Sequence, residues 1–157
     1  MNEFTIREII EHAEQIETES HAFYIKAAEY LKDREALRLA LDLSAEEIKH
    51  FNNLRDLLLQ PRMTSIDLNQ SLKSAVNLAD RIVKTAEITP ESDTDTILQI
   101  ALEREKQTEL LYRLYLTFTD IPRNIIKVFE DLQNQEIGHQ KRIETIMKQR
   151  KKRSEKN

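Results

Sequence analysis

Apolar residues recur at steps of three and four along four long stretches of this chain, and its 157 residues include only one glycine. Steps of that size bring side chains to one face of an α-helix. A single glycine leaves almost no position free to take positive φ, which argues against tight hairpins, Gly-rich phosphate loops and sandwich folds. The chain is rich in Ala, Leu, Ile, Glu, Lys, Gln and Arg, the strong helix formers. Hydrophobic residues make up 39% of it, enough to offset chain entropy and so to exclude a disordered chain. The expectation is an all-α domain.

Four helices can be placed. The first spans about residues 5–32, opening on the capping box Thr5-Ile6-Arg7-Glu8, and its face reads Ile9, Ile10, Ala13, Ile16, Ser20, Phe23, Tyr24, Ala27 and Leu31. The second takes Asp33 as N-cap, presents Leu37, Ala40, Leu43, Ser44, Phe51, Leu54 and Leu58, and ends before Pro61. In the long connection that follows, Leu68, Leu72, Ala75, Ala79, Ile82, Val83 and Ala86 predict a short amphipathic helix. Thr89-Pro90 predicts the start of a third helix, with Ile97, Ala101, Leu102, Thr108, Tyr112, Tyr115 and Leu116 facing inward and an end near Thr119. Pro122 opens the fourth, whose face is Ile125, Val128, Phe129, Leu132, Ile143 and Ile146. Short turns make antiparallel neighbours, and one long crossover lets two such hairpins dock as a four-helix bundle over residues 1–147.

The residues that interrupt these stripes carry the chemistry. Glu17 falls mid-face in the first helix, Glu47 and His50 in the second, Glu105 in the third, and Glu136 and His139 in the fourth. Glu103 lies round the helix from Glu105, and Glu14, Glu19 and Glu46 are off the stripe, so all four are expected in solvent. Four carboxylates and two imidazoles thus point into one core. An isolated buried carboxylate costs several kcal/mol, and like charges together make this worse. No Lys or Arg shares these inward positions. Two divalent ions would match four carboxylates, and oxygen donors with one imidazole per ion suit iron or manganese.

The spacing is duplicated. Glu-x-x-His occurs at 47–50 and at 136–139, each preceded by a lone core Glu at a distance of 30 or 31 residues. The halves are offset by 88 residues at Glu17 and Glu105 and by 89 at the Glu-x-x-His, and each lone Glu is followed seven residues on by a tyrosine, Tyr24 or Tyr112. This is a repeated helical hairpin, each copy carrying half a site.

Over residues 5–147 the pattern resembles the ferritin-like di-iron carboxylate family, where one Glu from each of two helices joins two Glu-x-x-His motifs. Ile16-Glu17 through Phe23-Tyr24, Ala101-Leu102-Glu103-Arg104-Glu105-Lys106 through Tyr112, and Gln135-Glu136-Ile137-Gly138-His139 bring it closer to rubrerythrin-like proteins. The resemblance implies two iron ions, with manganese or a mixed iron–manganese pair as alternatives. It implies terminal ligation by Glu17 and Glu136, with Glu47 and Glu105 bridging or terminal and His50 and His139 each binding one ion. Tyr24 and Tyr112 would orient ligands by hydrogen bonds. Rubrerythrins carry a further ligand Glu where this chain has Thr108, and Glu109 is the candidate to replace it. Their cysteine-ligated rubredoxin domain has no counterpart among these residues, which include no cysteine. His12 and His21 are expected at or near the surface, and His21, one turn after Glu17, is a candidate supporting residue.

The implied activity is reduction of hydrogen peroxide or dioxygen with electrons from an external donor protein, Glu105 or Glu136 relaying protons. The alternative is oxidation, storage or handling of ferrous iron. Charged outer faces predict a homodimer or small homo-oligomer rather than a cage. Residues 148–157 carry a net +5 against −9 for the remainder and are expected to form a frayed, disordered tail. The acidic body makes nucleic acid an improbable partner. Without a signal-like N-terminus or a membrane-length apolar run, a cytoplasmic location is expected.

Overall fold

A computed structural model describes residues 2–59 and 67–156. Four helices dominate: α1 (Ile6–Tyr30), α2 (Arg34–Leu59), α3 (Thr94–Tyr115) and α4 (Arg123–Lys156). Thr5 and Glu8 close the capping box at the start of α1, each side chain bonded to the other's backbone N–H. Asp33 accepts from the Ala36 amide and so caps α2. Helices α1 and α2 form one antiparallel hairpin and α3 and α4 the other; the hairpins meet through α2 against α4 and α1 against α3. The expected ferritin-like four-helix bundle is therefore what the chain forms.

The interior is two apolar halves separated by a polar layer. One half gathers Ile6, Ile9, Ile10, Leu54, Tyr112, Tyr115, Ile125 and Phe129, and the other gathers Tyr24, Ala40, Leu43, Ile97, Ala101 and Ile143. The apolar stripes of all four helices converge on these two clusters, as their periodicity requires.

The crossover departs from expectation. No amphipathic helix forms over residues 68–86; the segment holds a strand, β2 (Ser71–Ser74), and a single 3₁₀ turn at Leu78–Asp80. β2 pairs antiparallel with a short strand before α1, β1 (Asn2–Thr5), in the register Phe4↔Leu72. Side-chain hydrogen bonds compete with the helix here: Asp67 accepts from the Asn69 amide, Ser74 from that of Val76 and Asn77 from that of Ala79. Leu72, Leu78, Val83 and Ile88 reach the core from this irregular path, while Ala75, Ala79, Ile82 and Ala86 stay exposed. The expected stop at Pro61 lies outside the described residues.

Helix α3 starts later than Thr89-Pro90 predicts. Thr89 and Ser92 form a turn, and Asp93 caps the helix by accepting from the Thr96 amide. It also ends four residues before Thr119, in turns closed by Thr117 and Phe118. With no glycine available in the α3–α4 connection, Asp120 takes the left-handed conformation at φ 63°, which aspartate tolerates better than most residues.

Residues 148–156 are a continuation of α4 and not a frayed tail. Arg150 explains why: its guanidinium lies 2.9 Å from Asp33, the α2 cap, and 2.7 Å from Asp95 in the first turn of α3. Among the described residues no helix is long and apolar enough to cross a membrane.

Gly138, inside α4, faces open space: a β-carbon there would meet nothing within 4 Å. It is not needed for close approach. Gly138→Ala is therefore expected to raise stability by about 1 kcal/mol, read from urea unfolding midpoints. A destabilised variant would mean that the glycine has a conformational task.

Candidate metal centre

The six residues that interrupt the stripes meet in the polar layer. Glu17 (α1), Glu47 and His50 (α2), Glu105 (α3), and Glu136 and His139 (α4) are all 2% exposed or less. Their donor atoms form two groups, each mutually within 4.8 Å: Glu17, Glu47, His50 and Glu136 in one, and Glu47, Glu105, Glu136 and His139 in the other. The rings of His50 and His139 stack with centroids 5.4 Å apart.

Glu47 and Glu136 belong to both groups, each oxygen facing a different one. Glu47 Oε2 lies 3.3 Å from His50 Nδ1 and its Oε1 3.1 Å from His139 Nδ1. Glu136 Oε1 lies 3.1 Å from His50 Nδ1 and its Oε2 3.4 Å from His139 Nδ1. Glu17 and Glu105 each join one group. The resemblance implies a terminal Glu136; in this structure both Glu-x-x-His carboxylates, Glu47 and Glu136, are common to the two groups, and α2 and α4 are packed against each other across the layer.

The tyrosines hold the unshared carboxylates from the opposite half. The Tyr24 hydroxyl donates to Glu105 Oε1, and the Tyr112 hydroxyl donates to Glu17 Oε1. His50 is held from outside as well, its Nε2 donating to Gln135 Oε1 at 2.8 Å, whereas His139 Nε2 lies 3.8 Å from Glu46 Oε1, beyond hydrogen-bond reach. With Nε2 committed to Gln135, Nδ1 is the His50 nitrogen that faces the carboxylates. Arg142 in turn holds Glu46 at 2.6 Å.

Other acidic and imidazole candidates fall elsewhere. Glu109 joins neither group; it is buried against Arg113 at 2.6 Å and Gln133 at 3.2 Å. Thr108 turns its hydroxyl to the Arg104 carbonyl. His21 bonds the Ser44 carbonyl at 2.8 Å and supports no carboxylate of the layer. Glu14, expected in solvent, is buried and held by Arg55 at 2.7 Å from α2. Arg104, which the apolar stripe does not mark as inward, is buried: it lies over the Phe23 ring and donates to Ser20, making a lateral cap on the α1–α3 seam.

The polar layer is chemically incomplete. Neither oxygen of Glu47, neither oxygen of Glu136 and neither nitrogen of His139 has a hydrogen-bond partner, although all are shielded from solvent. Buried polar atoms are rarely left so. Carboxylate oxygens and imidazole nitrogens converging on two points fit two divalent cations, whose four charges match the four carboxylates.

Without cations, protons must take that role. Burial and the charge of Glu47 push the Glu17 carboxyl well above its ordinary range. Burial, then Glu105 and Glu17, do the same to Glu136. Burial opposes ionisation of Glu105 too, but its contacts with Glu136, His139 and Tyr24 win and hold it down to about 2. The Glu105–Glu136 pair therefore shares one proton, which rests on Glu136. Burial alone would lower both imidazoles, yet the carboxylates around them prevail, raising His50 and pushing His139 up to about 12.

The comparisons with known proteins bear on the fold. No family model matches the sequence, and no curated protein resembles it. A Thermotoga maritima protein proposed to be a ferritin-like diiron-carboxylate protein superimposes with a TM-score of 0.73 at 17% identity, over 94% of this chain and 97% of that one. A hypothetical protein from Pyrococcus furiosus superimposes with a TM-score of 0.66 at 17% identity, over 92% of this chain and 89% of that one.

The protonation pattern predicts how the metal-free protein responds to pH. Glu17 and Glu136 keep protons above their ordinary 4.5, and the two imidazoles above 6.5, that an unfolded chain would release. The unfolded chain binds fewer protons, so stability falls as pH rises. The opposite contribution of Glu105 is complete above 4.5 and does not enter. The melting temperature of the metal-free protein should drop steadily between about pH 5 and about pH 9, followed by circular dichroism. A flat or rising curve would contradict this distribution of protons.

Proposed function

We propose that this protein is a di-iron carboxylate oxidoreductase of rubrerythrin-like type, reducing hydrogen peroxide or dioxygen with electrons from a separate donor protein. The observation that carries the reading is the pair of shared carboxylates: Glu47 and Glu136 turn four unpartnered oxygens toward two points, each already faced by an imidazole. Glu17 and His50 complete one donor set, and Glu105 and His139 the other. An oxygen-rich set with a single imidazole per ion favours iron or manganese over thiolate-seeking metals. The Thermotoga protein, itself proposed to be a ferritin-like diiron-carboxylate protein, is in keeping with iron.

When bound, the metals would supply Lewis acidity toward a peroxide or dioxygen oxygen and accept or give electrons. The chain's own task is to hold and move protons beside them. Glu136, whose carboxyl keeps its proton in the metal-free state, and Glu105, which faces it and carries the Tyr24 hydroxyl, are the proton-handling carboxylates. Tyr112 fixes Glu17 as Tyr24 fixes Glu105, so the unshared ligands are set in direction before any ion arrives. The reading includes a homodimer or small homo-oligomer acting in the cytoplasm.

The sharing of carboxylates predicts a metal-loss pattern. Glu47→Ala or Glu136→Ala should lose both irons, Glu17→Ala should keep the ion near His139, and Glu105→Ala the ion near His50. Tyr24→Phe should weaken binding by about 10–100-fold without abolishing it. Because iron displaces the protons on Glu17, Glu136 and both imidazoles, loading should release protons and weaken as pH falls. Metal analysis and indicator-dye titration of anaerobic protein measure these.

Activity is decided by stopped-flow absorbance on the ferrous protein. About two irons per chain, with hydrogen peroxide consuming the ferrous signal much faster than dioxygen does, is the expected result. Fast oxidation by dioxygen with many irons taken up per chain would replace this reading with iron storage. No bound iron or manganese would leave only the fold.

A further inference from the structure

Behind Tyr112, away from the polar layer, a second buried tyrosine leads toward the surface. Tyr115 is 1% exposed, and its ring meets that of Tyr112 edge-on at 5.7 Å between centroids. Phe129 leans on both rings, 5.9 Å from Tyr112 and 5.2 Å from Tyr115. The Tyr115 hydroxyl bonds His12 Nδ1 on α1, and the other nitrogen of that ring, Nε2, lies 2.8 Å from the Arg81 carbonyl oxygen. A carbonyl only accepts, so Nε2 carries the hydrogen. In the neutral ring Nδ1 is then a bare acceptor, and Tyr115 must be the donor. Burial holds the His12 imidazole below its usual range, so the neutral ring is the form at pH 7. Arg81 is exposed and borders a surface groove with Ile82 and Leu110, themselves 62% and 52% exposed.

Helix packing does not require this arrangement. With the offset of 88 residues that relates the two halves, Tyr112 corresponds to Tyr24, but Tyr115 corresponds to Ala27 and His12 to Ile100. Ala27 and Ile100 are ordinary apolar core residues. One half of a duplicated bundle has a tyrosine–histidine pair where its twin has plain packing.

We propose that Tyr115, paired with His12, is a redox relay that carries single electrons between the surface near Arg81 and the metal centre, by way of the Tyr112 ring. The inference rests on the redox function proposed above. In the step, Tyr115 gives one electron toward the oxidised centre. Its O–H bond breaks and the proton moves to His12 Nδ1, leaving a neutral tyrosyl radical beside an imidazolium. An external one-electron reductant returns the electron, and His12 returns the proton. The pair balances charge locally, so no proton has to cross the apolar half of the core.

The test uses iron-loaded protein oxidised by hydrogen peroxide and frozen at intervals for electron paramagnetic resonance. A tyrosyl radical signal is expected in the wild type and is lost in Tyr115→Phe, which keeps the ring contacts. Re-reduction by reduced methyl viologen should slow about tenfold in Tyr115→Phe and in His12→Phe. Iron content and the rate of the first oxidation should stay unchanged. His12→Phe, changed near the surface, decides the matter where Tyr115→Phe loses iron. In metal-free wild-type protein, nitrogen NMR should place the His12 proton on Nε2. A radical that survives Tyr115→Phe, re-reduction at the wild-type rate in both variants, or a proton on Nδ1 overturns the relay and leaves the proposed metal centre standing. Protein that binds no iron, or iron that peroxide does not oxidise, overturns both.

Discussion

Six ionisable side chains in the dry middle of a four-helix bundle set the terms for everything else in this molecule. Each helix contributes at least one, so the layer is assembled only when both hairpins dock, and docking buries all of it at once. Several kcal/mol per uncompensated carboxylate would oppose that step. The apolar clusters above and below the layer supply the burial that offsets it, and they also exclude the water that would otherwise solvate the carboxylates. Protons on the glutamates and imidazoles make the closed state tolerable without metal. Two cations would complete it, which would tie stability to occupancy through the same groups.

The reciprocal tyrosines show how the duplication is used. Tyr24 and Glu17 lie on one helix, Tyr112 and Glu105 on another, yet each tyrosine serves the glutamate of the opposite helix. The α1–α3 contact is thereby fixed by two hydrogen bonds to carboxylates, in addition to apolar packing. Across the other face, Gln135 from α4 holds His50 of α2. Hydrogen bonds thus cross between hairpins at the two places where the hairpins meet.

Much of this was legible in the sequence because the helical period is strict. A Glu that falls in register with apolar neighbours has nowhere to point but inward, and two copies of the pattern leave little room for coincidence. The shared role of Glu47 and Glu136 was not legible, since it depends on which helices touch across the layer and not on spacing along any one. The β1–β2 ribbon was hidden because Leu68, Leu72, Ala75 and Ala79 mimic a helical step. The competing hydrogen bonds of Asp67, Ser74 and Asn77, and the pairing partner some seventy residues away, decide the outcome. The basic end of α4 read as a loose tail because its like charges repel. Asp33 and Asp95, which anchor Arg150, come from helix starts distant in sequence.

Where the halves differ is as informative as where they agree. The orienting residue for His50 is a neutral amide, Gln135, at hydrogen-bond distance; the counterpart near His139 is Glu46, a carboxylate drawn toward Arg142. His50 is thus fixed by a hydrogen bond on its outer nitrogen, and His139 is not. Two ions bound here would therefore be inequivalent even though their donor sets are the same in kind. Behind the layer the asymmetry continues: Tyr24 backs onto small and aliphatic side chains that include Ala27, Ala36, Ala40 and Ala101, while Tyr112 backs onto Tyr115, which bonds His12. A symmetric duplication sets the two donor groups, and divergence around it gives each group a different neighbourhood. One side faces aliphatic side chains. The other, on the Glu17–Tyr112 side, is joined to Arg81 at the surface by aromatic rings and hydrogen bonds, the path of the proposed relay.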